Sequence, residues 1–471
     1  MPQAAAIFDL DRTLLAGASA SVFASTMRAA GLMGPAFPGE RFISGLFETF
    51  GESLPLLALT RQAAGRAKGH SQAETQRAAV ASVEALAKLV QPFVAGVLAD
   101  HRAHGRLLVL ATTTPYDLVA PLAGHLGFDH VIATRYQVNG DGTYDGTIDG
   151  HFVWSTGKRA AVAEWADKAG VDLRESWFYS DSVFDAPLMM AVGHPVVVNP
   201  DPPMVILAAA RRWPILHLDV PPGVPKFPVV GVEPQQVALS LCRPELMPFA
   251  RFDIAGVGNI PAHGPAIIIA NHRSYFDVSA LAMTLAPTGR SVRFLGKKEV
   301  FDAPIVGSVA RAMGGIRVER GTGSDAPLRA AQEALDAGEL VAIMPQGTIP
   351  RGEAFFSPEL KFRWGASRLA ALTKAPVIPI GLWGTEQVWP RKSRVPLVWN
   401  VVNPPTVRVR VGEPVPLRYR SESADTKRMA QAVSALLPSV AHEPYTPTAE
   451  ELARSMPAGS KVSAQSERTR Q

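Results

Sequence analysis

Short, uninterrupted apolar runs alternate along this chain with longer stretches of helical period. Residues 4–10 (AAAIFDL), 106–111 (RLLVLA), 131–134, 177–180 and 195–198 are such runs. Runs of roughly four to eight apolar residues bounded by polar ones predict strands buried on both faces. Residues 140–150 predict a hairpin, with NGDG at 139–142 as its turn sequence. Residues 73–90 and 157–169 carry helical periodicity between the runs. Strands alternating with helices predict a parallel α/β sheet. The Ala-rich stretch at about residues 14–103 then reads as a helical insertion forming a cap over the first strand.

The same pattern starts again further along. Residues 266–270 (AIIIA), 292–295, 315–318, 340–344, 377–380 and 407–411 predict strands, and 325–336 and 362–372 predict helices. The expected organisation is therefore a first domain over 1–212, a proline-rich linker over 213–250, and a second α/β domain over 251–421. A helical, then disordered, tail is expected over 422–471.

Composition adds one asymmetry. The 471 residues are 47% apolar and 19% charged, which suits two buried cores and excludes global disorder. Residues 1–215 hold 17 basic and 20 acidic side chains, net −3, and the remainder holds 30 and 22, net +8. The basic excess thus belongs to the second part, which is expected to meet something anionic. The single cysteine, Cys242, excludes an internal disulfide or a Cys-based zinc site. No secretory signal is expected from the opening MPQAAAIFDLDRTLL. The uncharged run 254–272 carries three Gly and two Pro and makes a poor spanning helix. GxxxxGK[ST], HExxH and CxxC are missing, and Pro261 stands where a dinucleotide loop needs its third glycine. Scattered basic residues and no recognised module argue against nucleic-acid binding.

Candidate chemistry gathers at strand ends. Asp9 and Asp11 follow the first strand at i and i+2, on one side of an extended chain, where ligands of open α/β sheets bind. Two such acids repel unless a cation lies between them, and Mg²⁺ suits oxygen ligands. Thr112 ends the second strand, where a hydroxyl can hold a phosphate oxygen. Lys158 opens a helix after Gly157, so its ammonium and the helix N-terminus both favour an anion. Asp181 and Asp185 follow a later strand.

This ordered set resembles the haloacid dehalogenase superfamily, in its phosphoserine-phosphatase-like branch, over about residues 4–210. The resemblance implies a Rossmann-like domain with a helical cap and a phosphatase activity. It implies that Asp9 is the nucleophile and Asp11 the general acid and base. Asp9, the backbone carbonyl of Asp11, and Asp181 would bind Mg²⁺, with Asp185 supporting that shell. Thr112 and Lys158 would hold the transferred phosphoryl group.

The second part carries Asn271-His272-Arg273-Ser274-Tyr275-Phe276-Asp277 directly after AIIIA. If the chain bends between them, Asp277 can orient His272, and His272 can take a proton from a hydroxyl. Later come 314–320 (GGIRVER), 344–348 (MPQGT), whose Gly-Thr turn offers N–H groups to a phosphate, and 375–380 (APVIPI). Their order and spacing resemble the glycerolipid acyltransferases of the 1-acylglycerol-3-phosphate type, over about 250–420. The resemblance implies His272 as general base with Asp277 as its partner. Arg320, Gly347 and Thr348 would bind the acceptor phosphate. The substrates implied are a lysophospholipid acceptor and an acyl thioester, acyl-CoA or acyl carrier protein. Gln346 stands where that family has Glu, Ile349-Pro350-Arg351 follow where it has Arg-Ser, and Arg317 replaces a usual aromatic.

Together these imply a bifunctional phospholipid enzyme held peripherally at the cytoplasmic face of a membrane, its oligomeric state unknown. Two alternatives stay open: the phosphatase acts on an unrelated small phosphate ester, or the first domain is a non-catalytic regulatory module.

Overall fold

The computed structural model describes residues 3–34, 62–227, 231–319 and 325–457. Two compact units divide within residues 222–232. Each is an α/β layer structure around a seven-stranded sheet.

In the first unit the strands are β1 (Ala5–Phe8), β2 (Leu107–Pro115), β3 (His130–Val138), β4 (Tyr144–Asp149), β5 (Trp177–Ser180), β6 (His194–Val198) and β7 (Ile215–Leu216). Their order is β4-β3-β2-β1-β5-β6-β7, parallel except for the β3–β4 hairpin. Alternate residues serve opposite faces. Ala6, Phe8, Leu108 and Leu110 pack with Val94 and Leu98 on one side; Ala5, Ile7, Val109 and Ala111 pack with Val162 and Ala166 on the other. Burial on both faces is why these strands read as continuous apolar runs. Each large side chain so buried contributes about 1.5–3 kcal/mol.

The second unit holds β8 (Arg251–Ala255), β9 (Ala266–Ala270), β10 (Val292–Lys297), β11 (Ile316–Val318), β12 (Leu340–Ile343), β13 (Val377–Trp383) and β14 (Thr406–Val411). The order is β11-β10-β12-β9-β13-β14-β8, with only β13–β14 antiparallel. Ala266, Ile268 and Ala270 face one core, Ile267 and Ile269 the other.

Three expectations about organisation are corrected. The stretch 213–250 is not a linker throughout. Its β7 adds an edge strand to the first sheet, and Gln235, on the helix Pro234–Ser240, exchanges hydrogen bonds with the backbone of Val292 (2.6 and 3.0 Å). Prolines here sit at helix starts and between short elements, where a missing N–H costs nothing. The cap is shorter than 14–103, because the helix Val94–Ala103 buries Val94 and Leu98 against the sheet. The tail begins later than 422: the helix Glu422–Ser434 buries Met429 and Val433 in the core around Ile267 and Ile269. Residues 458–471, expected to be disordered, and cap residues 35–61 lie outside the described residues. Among the described residues no helix is long and apolar enough to cross a membrane.

Candidate active sites

Both centres lie just past the C-terminal end of a strand inside the sheet, β1 in the first unit and β9 in the second. In the first, the Asp9 N–H donates to the Tyr179 carbonyl (2.9 Å), pinning it to the end of β5. The chain then closes a tight loop, with the Leu15 N–H donating to the Leu10 carbonyl and Arg12 at φ 59°. This loop separates the two acids. Asp9 stays at the sheet end, while Asp11 turns to accept the Ser19 N–H.

Lys158 is 1% exposed and bonds Asp9 Oδ1 and Asp185 Oδ2, each at 2.8 Å. The Ser180 hydroxyl donates to the same Asp185 oxygen (2.8 Å). A buried ammonium survives only with such partners. The loop before its helix is tight: a Cβ on Gly157 would stand 2.1 Å from the Phe152 carbonyl oxygen, which explains that glycine. Asp181 accepts from the Thr13 hydroxyl (3.2 Å) and pairs with Arg12 (3.3 Å). Burial pushes the Asp11 carboxyl above its ordinary range, against the pull of the Ser19 bonds and the Lys158 charge. That shift favours the protonated acid that a leaving oxygen needs.

Thr112 is buried, and its hydroxyl accepts the Thr114 N–H (3.2 Å). Thr113 was not singled out in the sequence, yet its hydroxyl is buried without a hydrogen-bond partner and lines a cavity of about 750 Å³ that reaches Asp11. Phe23, Met27, Leu32, Met33 and Leu118 also line it.

Among the described residues no three His, Cys, Asp or Glu side chains gather as a metal cluster. The donors available to Mg²⁺ are the Asp9 and Asp181 carboxylates and the Asp11 backbone carbonyl. This all-oxygen set carries two negative charges and suits a hard cation. The Asp185 carboxylate, committed to Lys158 and Ser180, reaches this centre through Lys158.

In the second unit the Asn271 side chain exchanges two bonds with the Leu382 backbone (2.9 and 2.8 Å), fixing the loop after β9 to β13. The turn then brings His272 Nδ1 to Asp277 Oδ2 at 2.7 Å. That oxygen also accepts the N–H groups of Arg273 (2.7 Å) and Ser274 (2.9 Å). Asp277 is fully buried in the first turn of the helix Asp277–Leu285, where the helix dipole favours its charge. A carboxylate only accepts, so Nδ1 carries the proton and Nε2 keeps its lone pair for a substrate.

Gln346, which stands where the acyltransferase pattern has Glu, bonds the turn that carries His272. Its Oε1 accepts the backbone N–H of His272 (2.6 Å), so a neutral amide holds the turn that carries the imidazole. The next residues turn, with Gly347 at φ 72° and its N–H on the Met344 carbonyl. The Thr348 hydroxyl lies 3.5 Å from the Ile349 carbonyl oxygen. The Arg273 guanidinium pairs with Glu386 (2.9 Å) between the rings of Phe355 and Trp383. Sequence spacing carried no signal for this pair, which is 113 residues apart. Arg320 lies outside the described residues.

Residues 6–190 match the family of haloacid dehalogenase-like hydrolases, and residues 251–383 match the acyltransferase family. The first part of the chain belongs to the haloacid dehalogenase-like hydrolases, and the second part is similar to the acyltransferases. It is 30% identical over 292 residues to an inhibition of morphological differentiation protein of Streptomyces azureus, covering 58% of this chain and 95% of that one. It is 32% identical over 231 residues to a phosphoserine phosphatase of Mycobacterium tuberculosis, covering 45% and 70%. Among solved structures it is similar to the 1-acyl-sn-glycerophosphate acyltransferase of Thermotoga maritima, at 24% identity and a TM-score of 0.34, covering 42% of this chain and 77% of that one. Regions matching the haloacid dehalogenase-like hydrolase and acyltransferase families are joined in one polypeptide, as the two sets of motifs implied.

Proposed function

We propose that this chain is a bifunctional enzyme of phospholipid metabolism. Its second domain acylates the hydroxyl of a lysophospholipid from acyl-CoA or acyl carrier protein. Its first domain hydrolyses a phosphomonoester with Mg²⁺. The observation that carries the reading is the His272–Asp277 contact at 2.7 Å, which leaves Nε2 able to take a proton. The Asp9–Lys158–Asp185 cluster supports the other half.

In acyl transfer, Nε2 of His272 removes the acceptor hydroxyl proton as that oxygen attacks the thioester carbonyl. Asp277 stabilises the imidazolium, which returns the proton to the departing sulfur. In hydrolysis, Asp9 attacks phosphorus to give an aspartyl-phosphate, and Asp11 protonates the leaving oxygen. Asp11 then takes a proton from the water that releases phosphate. Lys158, bonded to Asp9, stands beside the transferred group, and Thr112 and Thr113 stand at the end of β2 to meet its oxygens. Mg²⁺ would add positive charge where the phosphoryl oxygens gather.

The cavity over Asp11 favours a lipid phosphate over a small polar ester. Its volume suits a sizeable ligand, within the roughly 300–1,000 Å³ of small-molecule sites. Its apolar wall of Phe23, Met27, Leu32 and Met33 has nothing to bury on a body the size of serine. Acylation of a lysophosphatidate followed by removal of its phosphate would use both domains in turn. The enzyme would work peripherally at the cytoplasmic face of a membrane, where such lipids reside.

Product analysis tests this with lysophosphatidate, labelled acyl-CoA and Mg²⁺. The wild type is expected to form phosphatidate and then diacylglycerol, and Asp9→Asn to stop at phosphatidate. His272→Ala should form no diacyl product. Both variants keeping both activities would refute the assignment. Hydrolysis of phosphoserine but of no lipid phosphate would restrict the phosphatase to small esters.

A further inference from the structure

The segment that follows β13 carries an exposed apolar crown that neither catalytic centre uses. Trp399 is 89% and Val402 95% exposed, and Val395, Leu397 and Val401 are exposed beside them. Five exposed apolar side chains thus fall within residues 395–402, and large exposed apolar surface usually marks an interaction site.

The crown stands on a fixed base. The Arg391 guanidinium is buried and donates to the carbonyls of Ile349 and Pro350. The Trp389 indole donates to the Ser393 carbonyl (3.1 Å), and the Leu397 N–H donates to the Val388 carbonyl (2.8 Å). The base also touches the catalytic turn: the Ser274 hydroxyl donates to the Trp389 carbonyl (2.7 Å), and the Tyr275 ring packs 5.7 Å from that of Trp389. The exposed side chains are therefore held out in place, a short distance along the chain from a residue bonded to the His272 loop.

Charge selects the occupant. Residues 387–412 contain no acid. Lys392 and Arg394, exposed at the foot of the crown, have no acidic partner among the described residues. A Trp tip among aliphatic side chains with unpaired cations at its foot matches a bilayer surface. Trp settles at headgroup depth, and Lys and Arg gain from anionic lipid. A second exposed apolar set, Ile305, Val306 and Val309, is the weaker candidate. The nearby Lys298 and Arg317 are already paired, with Glu319 (2.6 Å) and Asp302 (3.4 Å).

We propose that residues 390–402 dock the acyltransferase domain onto the surface of an anionic bilayer, with Trp399 and Val402 entering the interface and Lys392 and Arg394 on the headgroups. The proposal rests on the peripheral-membrane reading above and names the surface that performs it.

The test is sedimentation of the full chain with phosphatidylcholine vesicles, with and without phosphatidylglycerol. Wild type is expected to bind the anionic vesicles, less so as salt is raised. Trp399→Ser/Val402→Ser should weaken binding by about tenfold or more. It should also lower acylation of vesicle-borne acceptor more than of monomeric short-chain acceptor. Ile206→Ser, which removes an exposed apolar residue of the first unit, should bind as wild type does. If wild type binds no vesicle, the membrane reading itself fails. If wild type binds and the double variant binds equally, that reading stands and the docking surface is wrong. The docking surface is equally wrong if Ile305→Ser/Val309→Ser loses binding instead. Conversion of a lipid-free dimer to a monomer by the double variant would show a self-association surface and overturn the proposal.

Discussion

The two centres occupy the same topological position and solve opposite electrostatic problems. Asp9 follows β1 and His272 follows β9, each beyond an interior strand of a seven-stranded sheet. Around Asp9 the charges are dense and enclosed, with Lys158 clasped between two carboxylates and Arg12 against Asp181. In the proposed hydrolysis an anionic nucleophile must meet an anionic phosphate, and the cations here suit that role. The His272 ring bonds the buried Asp277, and its side chain keeps 19% of its surface in contact with solvent. The proposed general base must stay neutral until it takes a proton, and the orienting acceptor and the opening suit that role. A strand end therefore offers a place, and the partners brought there decide the chemistry.

The sharpest way to break this comparison is to remove each centre in turn. Asp9→Asn is expected to lower phosphatase turnover by about 10⁴-fold or more, since no other group forms the covalent intermediate. Acyl transfer should not change. A variant that retains a tenth of the rate would show that Asp9 is not the nucleophile. His272→Ala should lower acyl transfer by roughly 10²–10⁴-fold with hydrolysis intact, as single-turnover assays of the two reactions would record.

A buried cation by itself does not mark a catalytic site, and Arg293 shows why. It is fully buried, with a bidentate bond to Glu339 (2.8 and 2.6 Å) and a third to Glu233 (2.8 Å). Burial disfavours its charge, but these bonds outweigh burial and hold its pKa above the ordinary value. Gly314, part of a motif read for chemistry, is close-packed here: a Cβ would stand 2.1 Å from the Arg293 Nη1. Arg293→Met would strand the buried Glu233 carboxylate and the partly buried one of Glu339. It is expected to destabilise the second unit by about 3–5 kcal/mol, seen as a lower urea midpoint for that unit with phosphatase activity retained. A stability equal to wild type would show that the carboxylates find water.

Smaller effects sharpen the picture. Gln346→Ala removes one hydrogen bond to the catalytic turn. At about 0.5–1.5 kcal/mol, that predicts acyl transfer slowed by up to about tenfold. Gln346→Glu should recover most of the rate, because the acceptor oxygen returns. If Ala and Glu behave alike, Gln346 does not position the base.

The smallest expected effect contrasts two histidines. His101 is buried beside Arg106 (3.0 Å) and the Tyr179 hydroxyl (2.7 Å), and burial, then Arg106, pulls its pKa down to about 4. Between about pH 6.5 and 4 the unfolded chain binds a proton that the folded one refuses, so stability from this group falls as pH drops through that window. Thermal unfolding of His101→Gln should show a shallower acid slope than wild type. An identical slope would remove His101 from the account.

Much of this molecule was legible in local pattern. The apolar runs located eleven of the fourteen described strands and the NGDG turn a twelfth, and the residues just past the runs located Asp9, Asp11, Thr112, Asp181 and His272. The missed strands, β7 and β8, are short edges: β7 is two residues long, and β8 has no fully buried residue. Neither produces an apolar run. Lys158 was visible as a residue at a helix start, while its bonds to Asp9 and Asp185 were not.

The sequence by itself determined where strands end and which reactive residues stand there, because burial on both faces of a parallel sheet writes itself into consecutive positions. The tertiary structure alone decided the partners. Lys158 meets Asp9 across 149 residues, Gln346 meets His272 across 74, and Arg293 meets Glu233 across 60. Strand order sets these meetings, and hydrogen bonds act over a few ångströms in space regardless of separation along the chain.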